Sequence, residues 1–315
     1  MFLVFQKKMS FNCLECQQEF DSERSLHAHI KKHDMFLHDY YVKHYQRRDL
    51  LTGELLPFKN KEQYFQTYFL NSANQNKFFD QQYSKDLGVC MILLEMLCSK
   101  TKEGFAPCEV ILNSYSLPSI SVFKKFFGSY SAAAESCGSR LMFGDKFPKE
   151  CHTHPNPKIF IDTREQQPLS FPNHEFLKLD LGDYCVEPKY FNYTFVDRKS
   201  ESDFKSTVSE DNLDRFKREL LRAREQESFI FVVVESDFEQ IQQNNGKNSH
   251  KSNLAYIYHN MRALQVEFKD CCQFVFSANR KNSEKLVPLL LVHGKKLWNV
   301  DLQFYINGGL LNGLD

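Results

Sequence analysis

The fold is decided by residues 182–203, which read GDYCVEPKYFNYTFVDRKSESD. Two runs within this stretch, 184–186 and 193–196, are rich in β-branched and aromatic residues, and the polar residues between them are typical of a turn. The runs therefore predict the two strands of a hairpin. Asp183 stands at the start of the first strand and Asp197 at the end of the second, so pairing would bring both carboxylates to the same end of the ladder.

Two carboxylates and a lysine at one end of a hairpin form a metal-dependent site that can cut phosphodiester bonds. Asp183 and Asp197 would hold a divalent cation, Mg²⁺ or Mn²⁺, which lowers the pKa of a bound water. Lys199 would steady the attacking water or the charge that develops at phosphorus. A lone Gly-Asp is usually a turn, and a lone Asp-Arg-Lys is usually a solvated run of charges. Their order along one chain favours catalysis.

Three motifs in the same order resemble the XPF-type nuclease family, a branch of the PD-(D/E)xK endonucleases. The motifs are residues 159–165 (IFIDTRE), 182–184 (GDY) and 197–203 (DRKSESD). The family pattern is a strand ending in Asp-x-Arg-Glu, then Gly-Asp, then Glu-Arg-Lys-x-x-x-Asp. This sequence has Asp197 where the family more often has glutamate, which keeps the charge and shortens the side chain by one methylene.

The resemblance implies a role for each matching residue. Asp183 and Asp197 would be the metal ligands, and Lys199 would be the catalytic lysine. Asp162 would be a further acid near the metal. The residues that would support and orient this set are Arg164, Glu165, Arg198 and Asp203. Arg215, on the helix predicted next, would either contact a phosphate or be an ordinary exposed helix residue.

Downstream of the motifs, the apolar residues alternate between helical and strand spacing. Helices are expected at about 213–225, 254–266 and 283–294, and strands at 229–234 and 273–277. Strands that alternate with helices indicate an α/β fold, here a three-layer PD-(D/E)xK-like nuclease domain. The resemblance covers residues 157–300.

A second pattern, near the N-terminus, matches a two-Cys, two-His zinc finger. The predicted zinc ligands are Cys13, Cys16, His29 and His33. Two thiolates on a hairpin knuckle and two imidazoles one helical turn apart meet a tetrahedral ion, and Phe20 and Leu26 supply a small core. Such a unit is too small to fold without metal, so Zn²⁺ would be structural. We expect a ββα finger over residues 9–35.

The target of the finger is left open by its sequence. By the usual docking geometry, the base-reading positions would be Ser22, Ser25 and Ala28. None of these short side chains suits guanine or adenine. The finger would therefore position the protein on the DNA backbone, with help from Lys31 and Lys32, or it would bind another protein.

Residues 117–138 resemble the homing-endonuclease-associated repeat. They contain a Pro-Ser start, a Phe-Gly-Ser followed by an aromatic residue, an Ala-rich run and a closing glycine. One helix would begin near Ser119, which would cap it, and a second near Ser129. The resemblance implies a small helical, helix-turn-helix-like DNA-binding module over residues 88–139. The alternative is a plain helical linker domain.

Composition limits the kind of DNA-binding surface that the protein has. The 315 residues include 40 basic and 40 acidic side chains, which argues against a uniformly basic surface. Local basic faces remain, one on the predicted helix at 215–224 and one at Lys124 and Lys125. A hydrophobic content of 42% supports packed cores and argues against a disordered chain.

These modules divide the chain into six parts. They are the zinc finger (9–35), an unassigned aromatic-rich segment (36–87), the helical module (88–139), a linker (140–156), the nuclease domain (157–300) and a tail (301–315). The sequence shows neither a signal peptide nor a transmembrane run. Ten cysteines without a disulfide framework favour a reducing, intracellular setting, in the cytoplasm or nucleus.

The sequence thus predicts a metal-dependent DNA endonuclease that the finger and the helical module direct to its target. The family resemblance also implies a homodimer through the nuclease domain. Two alternatives stay open. The first is a catalytically inactive nucleic-acid-binding protein of nuclease fold, and the second is a nuclease that acts on RNA or single strands.

Overall fold

The computed structural model describes residues 11–46, 95, 98, 104–115, 119–153, 155–247 and 252–313. The chain forms two compact units, Met1–Gln82 and Tyr83–Asp315. Most of the unassigned segment 36–87 and most of residues 88–103 in the expected helical module lie outside the described residues.

The first unit contains a short hairpin followed by two helices. Its elements are β1 (Phe11–Asn12), β2 (Glu19–Phe20), α1 (Glu23–Ile30), a 3-10 turn (Lys31–His33) and α2 (Leu37–His44). β1 and β2 pair antiparallel. Ser22 caps α1, because its hydroxyl oxygen accepts a hydrogen bond from the backbone N–H of Ser25 at 3.2 Å. Two strands followed by a helix is the arrangement predicted for residues 9–35.

α2 lies beyond the predicted end of the finger and completes its core. That core consists of Cys13, Leu26, Ile30 and Tyr40. The backbone N–H of Leu14 donates to the hydroxyl of Tyr40 at 2.7 Å, and Lys43 forms an ion pair with Glu15 at 2.6 Å. The compact unit therefore continues past residue 35, because α2 packs on the Cys13–Cys16 knuckle.

The second unit is built around a six-stranded mixed sheet with the order β10-β9-β8-β7-β5-β6. Its strands are β5 (Ile159–Asp162), β6 (His174–Leu177), β7 (Tyr184–Val186), β8 (Thr194–Lys199), β9 (Phe229–Val234) and β10 (Cys272–Phe276). β7 pairs antiparallel with β5 and β8, whereas the other neighbours are parallel. A two-stranded parallel pair, β3 (Phe105–Ala106) and β4 (Arg140–Leu141), lies outside this sheet.

Helices cover both faces of the sheet. The described helices of the second unit are α3 (Glu109–Ser114), α4 (Ile120–Phe127), α5 (Tyr130–Ser136), α6 (Glu201–Thr207), α7 (Glu210–Glu225), α8 (Phe238–Asn244), α9 (Leu254–Glu267), α10 (Arg280–His293) and α11 (Leu302–Asn307). The second unit also contains short 3-10 turns at Lys149–His152, Gly294–Lys296 and Leu310–Gly313. Even-numbered residues of β9 join the core that contains α7 and α9, and odd-numbered residues join the core that contains α10. The sheet is therefore buried on both sides, as in a three-layer α/β fold.

The predicted elements agree with the structure with small shifts at their ends. The hairpin forms with Tyr184 opposite Val196. The last predicted helix, α10, begins at Arg280 and not at Ser283, because the side chain of Asn279 caps it by accepting from Asn282. α4 and α5 begin after Ser119 and Ser129, and both serines act as caps.

Two stretches expected to be a linker and a tail contribute apolar side chains to the cores. Between residues 140 and 156, Met142 and Phe143 are buried in one core, and Phe147 and Cys151 are buried in the other. Leu302, Leu310 and Leu311 from the expected tail are also buried. Since a free linker would leave such side chains in water, both stretches belong to the packed second unit.

Candidate active site and metal centre

The hairpin places the two predicted metal ligands at the same end of the ladder. Asp197 lies on β8, and Asp183 directly precedes β7 and donates its backbone N–H to Val196 at 2.8 Å. Gly182 makes this approach possible. Its φ is +61°, and a Cβ there would lie 2.9 Å from the carbonyl oxygen of Val196. Only glycine fits this position without strain.

The two carboxylates differ in how their oxygens are occupied. Asp183 accepts a hydrogen bond from the backbone N–H of Arg198 at 2.8 Å. Asp197 is only 3% exposed, and its Oδ1 accepts from Lys199 Nζ at 2.6 Å. Its Oδ2 is buried and has no hydrogen-bond partner among the described residues. Burial and the neighbouring Asp197 raise the pKa of Asp183 well above its usual value.

This donor set fits a divalent cation. A buried carboxylate oxygen without a partner is costly, and hard cations such as Mg²⁺ take carboxylate oxygens as ligands. A cation held by Asp183 and Asp197 would satisfy the unpaired oxygen of Asp197. It would also remove the repulsion that raises the pKa of Asp183.

Lys199 is suited to act as a fixed positive charge. Burial by itself would lower the pKa of Lys199, but the carboxylates of Asp197 and Asp183 outweigh it and hold the pKa above its usual value. The ammonium therefore stays protonated. It can stabilise negative charge at the site, but it cannot accept a proton as a base.

Asp162 lines the same cavity as Asp183 and Asp197, and protein donors occupy both of its carboxylate oxygens. Its Oδ1 accepts from the backbone N–H and the Nε of Arg164, both at 2.7 Å. Its Oδ2 accepts from Arg164 Nη2 at 3.0 Å and from the backbone N–H of Leu179 at 2.7 Å. Although burial opposes it, these donors hold the pKa of Asp162 at about 2. With both oxygens occupied, Asp162 fixes the loop beside the site and offers no free oxygen for a cation.

Arg198 lies between two acids beneath the site. Its guanidinium pairs with Glu165 at 3.2 Å and with Glu235 at 3.0 Å, and all three side chains are largely buried. Arg280 contacts Glu235 from the other side at 3.4 Å. The supporting roles expected for Arg198 and Glu165 fit this network. Glu235 and Arg280 were not predicted, because only tertiary packing brings them here.

The two other supporting residues lie at the rim of the site. Ser200 caps the start of α6, since its Oγ accepts from the backbone N–H of Asp203 at 3.2 Å and donates to the Asp203 carboxylate at 2.7 Å. This holds the chain directly after Lys199. Arg215, on α7, is exposed and lines the same cavity, whose volume is about 600 Å³.

Residues 161–290 match the family model of the ERCC4 domain. The matched segment contains the hairpin, Lys199 and α7. The match covers less than half of the chain. The first unit and helices α3–α5 lie outside the match.

Two solved structures resemble part of this chain. "XPF from Aeropyrum pernix" is 20% identical, with 42% of this chain and 64% of that chain covered and a TM-score of 0.32. "XPF from Aeropyrum pernix, complex with DNA" is 20% identical, with 44% of this chain and 65% of that chain covered and a TM-score of 0.32. The chain thus spans less than two thirds of either structure. No curated protein sequence matches it.

The cavity contains one further acid that the motifs did not predict. Glu219, on α7, accepts a hydrogen bond from the backbone N–H of Gly182 at 3.3 Å. Burial and the nearby Asp197 raise its pKa. The available signal was its position four residues after Arg215, because residues at that spacing share a helix face.

In the first unit, the four predicted zinc ligands converge. The ligand atoms of Cys13, Cys16, His29 and His33 all lie within 4.8 Å of one another. Cys16 Sγ lies 3.1 Å from His29 Nε2, and Cys13 Sγ lies 3.4 Å from His33 Nε2. Two thiols and two imidazoles in such a cluster match the donor set that zinc prefers.

The four lysines predicted to contact DNA are exposed. Lys31 and Lys32 follow α1 in the first unit. Lys124 and Lys125 are on α4, and the Nζ of Lys124 lies 4.8 Å from the ring centroid of Phe304. No helix in the described part of the chain is long and apolar enough to cross a membrane.

Proposed function

We propose that this protein is a divalent-metal-dependent DNA endonuclease that hydrolyses phosphodiester bonds. One observation carries the proposal. The buried Oδ2 of Asp197 has no partner in the described part of the chain, while Asp183 lies beside it and Lys199 occupies the other oxygen. The ERCC4-domain match covers all three residues and supports the same reaction class.

Asp183 and Asp197 would hold Mg²⁺ or Mn²⁺. When bound, such an ion supplies Lewis-acid stabilisation and lowers the pKa of water at the site. Lys199 keeps Asp197 in place and adds a fixed positive charge where the transferring phosphoryl group becomes more negative. The Arg198 backbone N–H orients Asp183, and the buried Arg198 pairs hold that backbone rigid.

The other modules would direct the nuclease to its substrate. In the proposal, the first unit binds structural Zn²⁺ through its two cysteines and two histidines. The exposed Lys31 and Lys32 would contact DNA phosphates there, and Lys124 and Lys125 would do so from the homing-endonuclease-like helices. Co²⁺ substitution tests the zinc site, since a tetrahedral thiolate complex gives intense visible absorption that Cys16→Ala should abolish.

A homodimer through the nuclease domain also belongs to the proposal. The edge strand β6 exposes Phe176 and Leu177, which are 51% and 45% accessible, and an uncovered edge strand is a surface for pairing. Light scattering on the purified protein measures its mass in solution. An intracellular location, in cytoplasm or nucleus, agrees with a DNA substrate.

Cleavage of a labelled substrate panel tests the proposed activity. The panel contains duplex, single-stranded, flap and fork DNA and a matched RNA, each with Mg²⁺, Mn²⁺ or EDTA. We expect metal-dependent cleavage of DNA. Preferred cleavage of RNA would reassign the substrate class. Binding without cleavage under every metal condition would favour the non-catalytic alternative.

A further inference from the structure

We infer that Glu219 is a third carboxylate of the cation site in the second unit and binds the ion through water. The inference rests on the proposed function and assigns a residue that the catalytic motifs do not contain. Glu219 thus adds an acid from a helix, α7, to the two acids that come from the hairpin, Asp183 and Asp197.

The position of Glu219 supports this role. Its side chain lines the same cavity as Asp183 and Asp197. Among the described residues, its hydrogen-bond donor is the amide of Gly182, the residue next to Asp183. One peptide segment therefore carries one acid of the site and orients another. A shift of α7 would move Glu219 relative to the hairpin, so the packing of α7 on the sheet sets the site's dimensions.

The charge around the cavity also favours a cation held by three carboxylates. Three carboxylates, Asp183, Asp197 and Glu219, face a single buried ammonium, that of Lys199. The nearby guanidinium groups are already used, since Arg164 pairs with Asp162 and Arg198 pairs with Glu165 and Glu235. When all three acids are ionised, Lys199 leaves two negative charges unbalanced, and one divalent cation would balance them.

Two more arginines on α7 do not remove this imbalance. Arg215 and Arg222 are exposed, so water and salt screen their attraction for the acids. The unpaired Oδ2 of Asp197, in a side chain that is 3% exposed, is the independent sign that a ligand is needed. Glu219 lines the cavity that contains Asp197.

Mn²⁺ binding to the full chain, followed by the electron paramagnetic resonance signal of free Mn²⁺, tests the inference. Glu219→Gln keeps the size of the side chain and an oxygen that can accept from Gly182, but it removes the charge. We expect Mn²⁺ affinity at the site to fall at least about tenfold, within the range typical when metal-site residues are removed. Glu225→Gln is the matched control, because Glu225 is exposed on the same helix. It should leave Mn²⁺ affinity unchanged.

Thermal unfolding separates a ligand from a structural residue. Without metal, Glu219→Gln should be at least as stable as the natural protein, because it relieves repulsion among the acids. Mg²⁺ should then raise its melting temperature less than it raises that of the natural protein. A lower metal-free melting temperature together with unchanged Mn²⁺ affinity would overturn the inference.

Asp183→Asn distinguishes failure of this inference from failure of the proposed function. If the natural protein binds Mn²⁺, Asp183→Asn abolishes binding and Glu219→Gln binds normally, only the role of Glu219 is refuted. If the natural protein itself binds no Mn²⁺ at this site, the metal-dependent function and the inference both fail.

Discussion

Lys199 Nζ lies 2.6 Å from Oδ1 of Asp197, while Oδ2 of the same carboxylate is buried without a hydrogen-bond partner in the described structure. One side of Asp197 is therefore held by a protein cation, and the other side is left for a ligand. This asymmetry distinguishes Asp197 from Asp162, whose two oxygens both accept from protein donors. It is the basis for proposing Asp197 as a metal ligand.

Replacing Lys199 with alanine should slow cleavage on the order of 10²–10³-fold, as loss of one preorganised electrostatic group does. Because the variant also leaves the buried Asp197 without its ion-pair partner, it should be less stable without metal, so rates are compared under conditions in which both variants are folded. Single-turnover cleavage with saturating enzyme measures the rate of the chemical step. Lys281→Ala, which removes an exposed lysine from α10, is the control and should cleave normally. Equal rates for Lys199→Ala and the control would remove Lys199 from the mechanism.

Gly182→Ala should both destabilise the protein and impair cleavage. The new Cβ would lie 2.9 Å from the carbonyl oxygen of Val196, in addition to the strain of a positive φ. Gly138→Ala is a matched control, because its φ of +66° is similar and nothing lies within 4 Å of the added Cβ.

Urea unfolding of both glycine variants separates the clash from the strain. The control should lose only about 1–2 kcal/mol, the cost of a left-handed conformation. Gly182→Ala should lose more, and its displaced Asp183 should lower the cleavage rate. If the two variants lose equal stability and cleave equally well, the close approach at Gly182 is not needed for the site.

Arg198→Met should lower the free energy of unfolding by about 3–5 kcal/mol, since it leaves Glu165 and Glu235 buried without their shared partner. Arg218→Met removes an exposed arginine from α7 and should cost much less. Chemical denaturation with both variants measures the difference. Similar unfolding midpoints for the two variants would show that the Arg198 pairs contribute little to the stability of the site.

The sequence predicted those features that depend on local pattern. The β-branched and aromatic runs of β7, β8 and β9 and the apolar spacing of α7 and α9 locate the sheet, and chain order locates Asp183, Asp197 and Lys199. Features that depend on distant packing were not predictable in this way. Glu219 reaches the cavity only because α7 packs on the sheet. The sequence motif predicts Asp162 as a further acid near the metal, and only the structure shows its oxygens accepting from Arg164 and Leu179.

The same limit applies to the ends of the second unit. Proline-containing residues 140–156 suggested a linker, yet Phe147 and Cys151 are buried against the sheet. The following tail also enters the fold. Asp301 accepts from the backbone N–H of Glu109 at 2.8 Å, and Asn307 donates to the carboxylate of Glu109 at 3.0 Å. No local pattern signals pairs almost two hundred residues apart.

The contact between Asp301 and α3 should make stability depend on pH. Burial, with a further contribution from Glu109, raises the pKa of Asp301 from 3.8 to about 7. Between these values, the folded state retains a proton that the unfolded state has lost. The contribution of Asp301 to stability is therefore fully present below 3.8 and is lost as the pH rises to about 7. The pKa of Asp162 is lowered to about 2, so its contribution to stability has the opposite pH dependence. That contribution is present above pH 3.8 and is lost as the pH falls to about 2.

Asp301→Asn isolates this effect, because asparagine can still accept the hydrogen bond from Glu109. Between about pH 4.5 and 7, the natural protein should lose stability with rising pH more steeply than the variant does. The difference in slope should approach at most about 1.4 kcal/mol per pH unit for a single proton. Urea midpoints across this range measure it, and parallel curves for the two proteins would contradict the assignment.

Cleavage of labelled DNA by the natural protein and by Asp183→Asn, each with Mn²⁺ and with EDTA, tests the central claim most directly. The account predicts metal-dependent cleavage by the natural protein. It also predicts that Asp183→Asn folds and binds the same DNA but does not cleave it, either with Mn²⁺ or with EDTA. Cleavage by Asp183→Asn at the natural rate, or cleavage by the natural protein that persists in EDTA, would contradict a metal-dependent site at this hairpin.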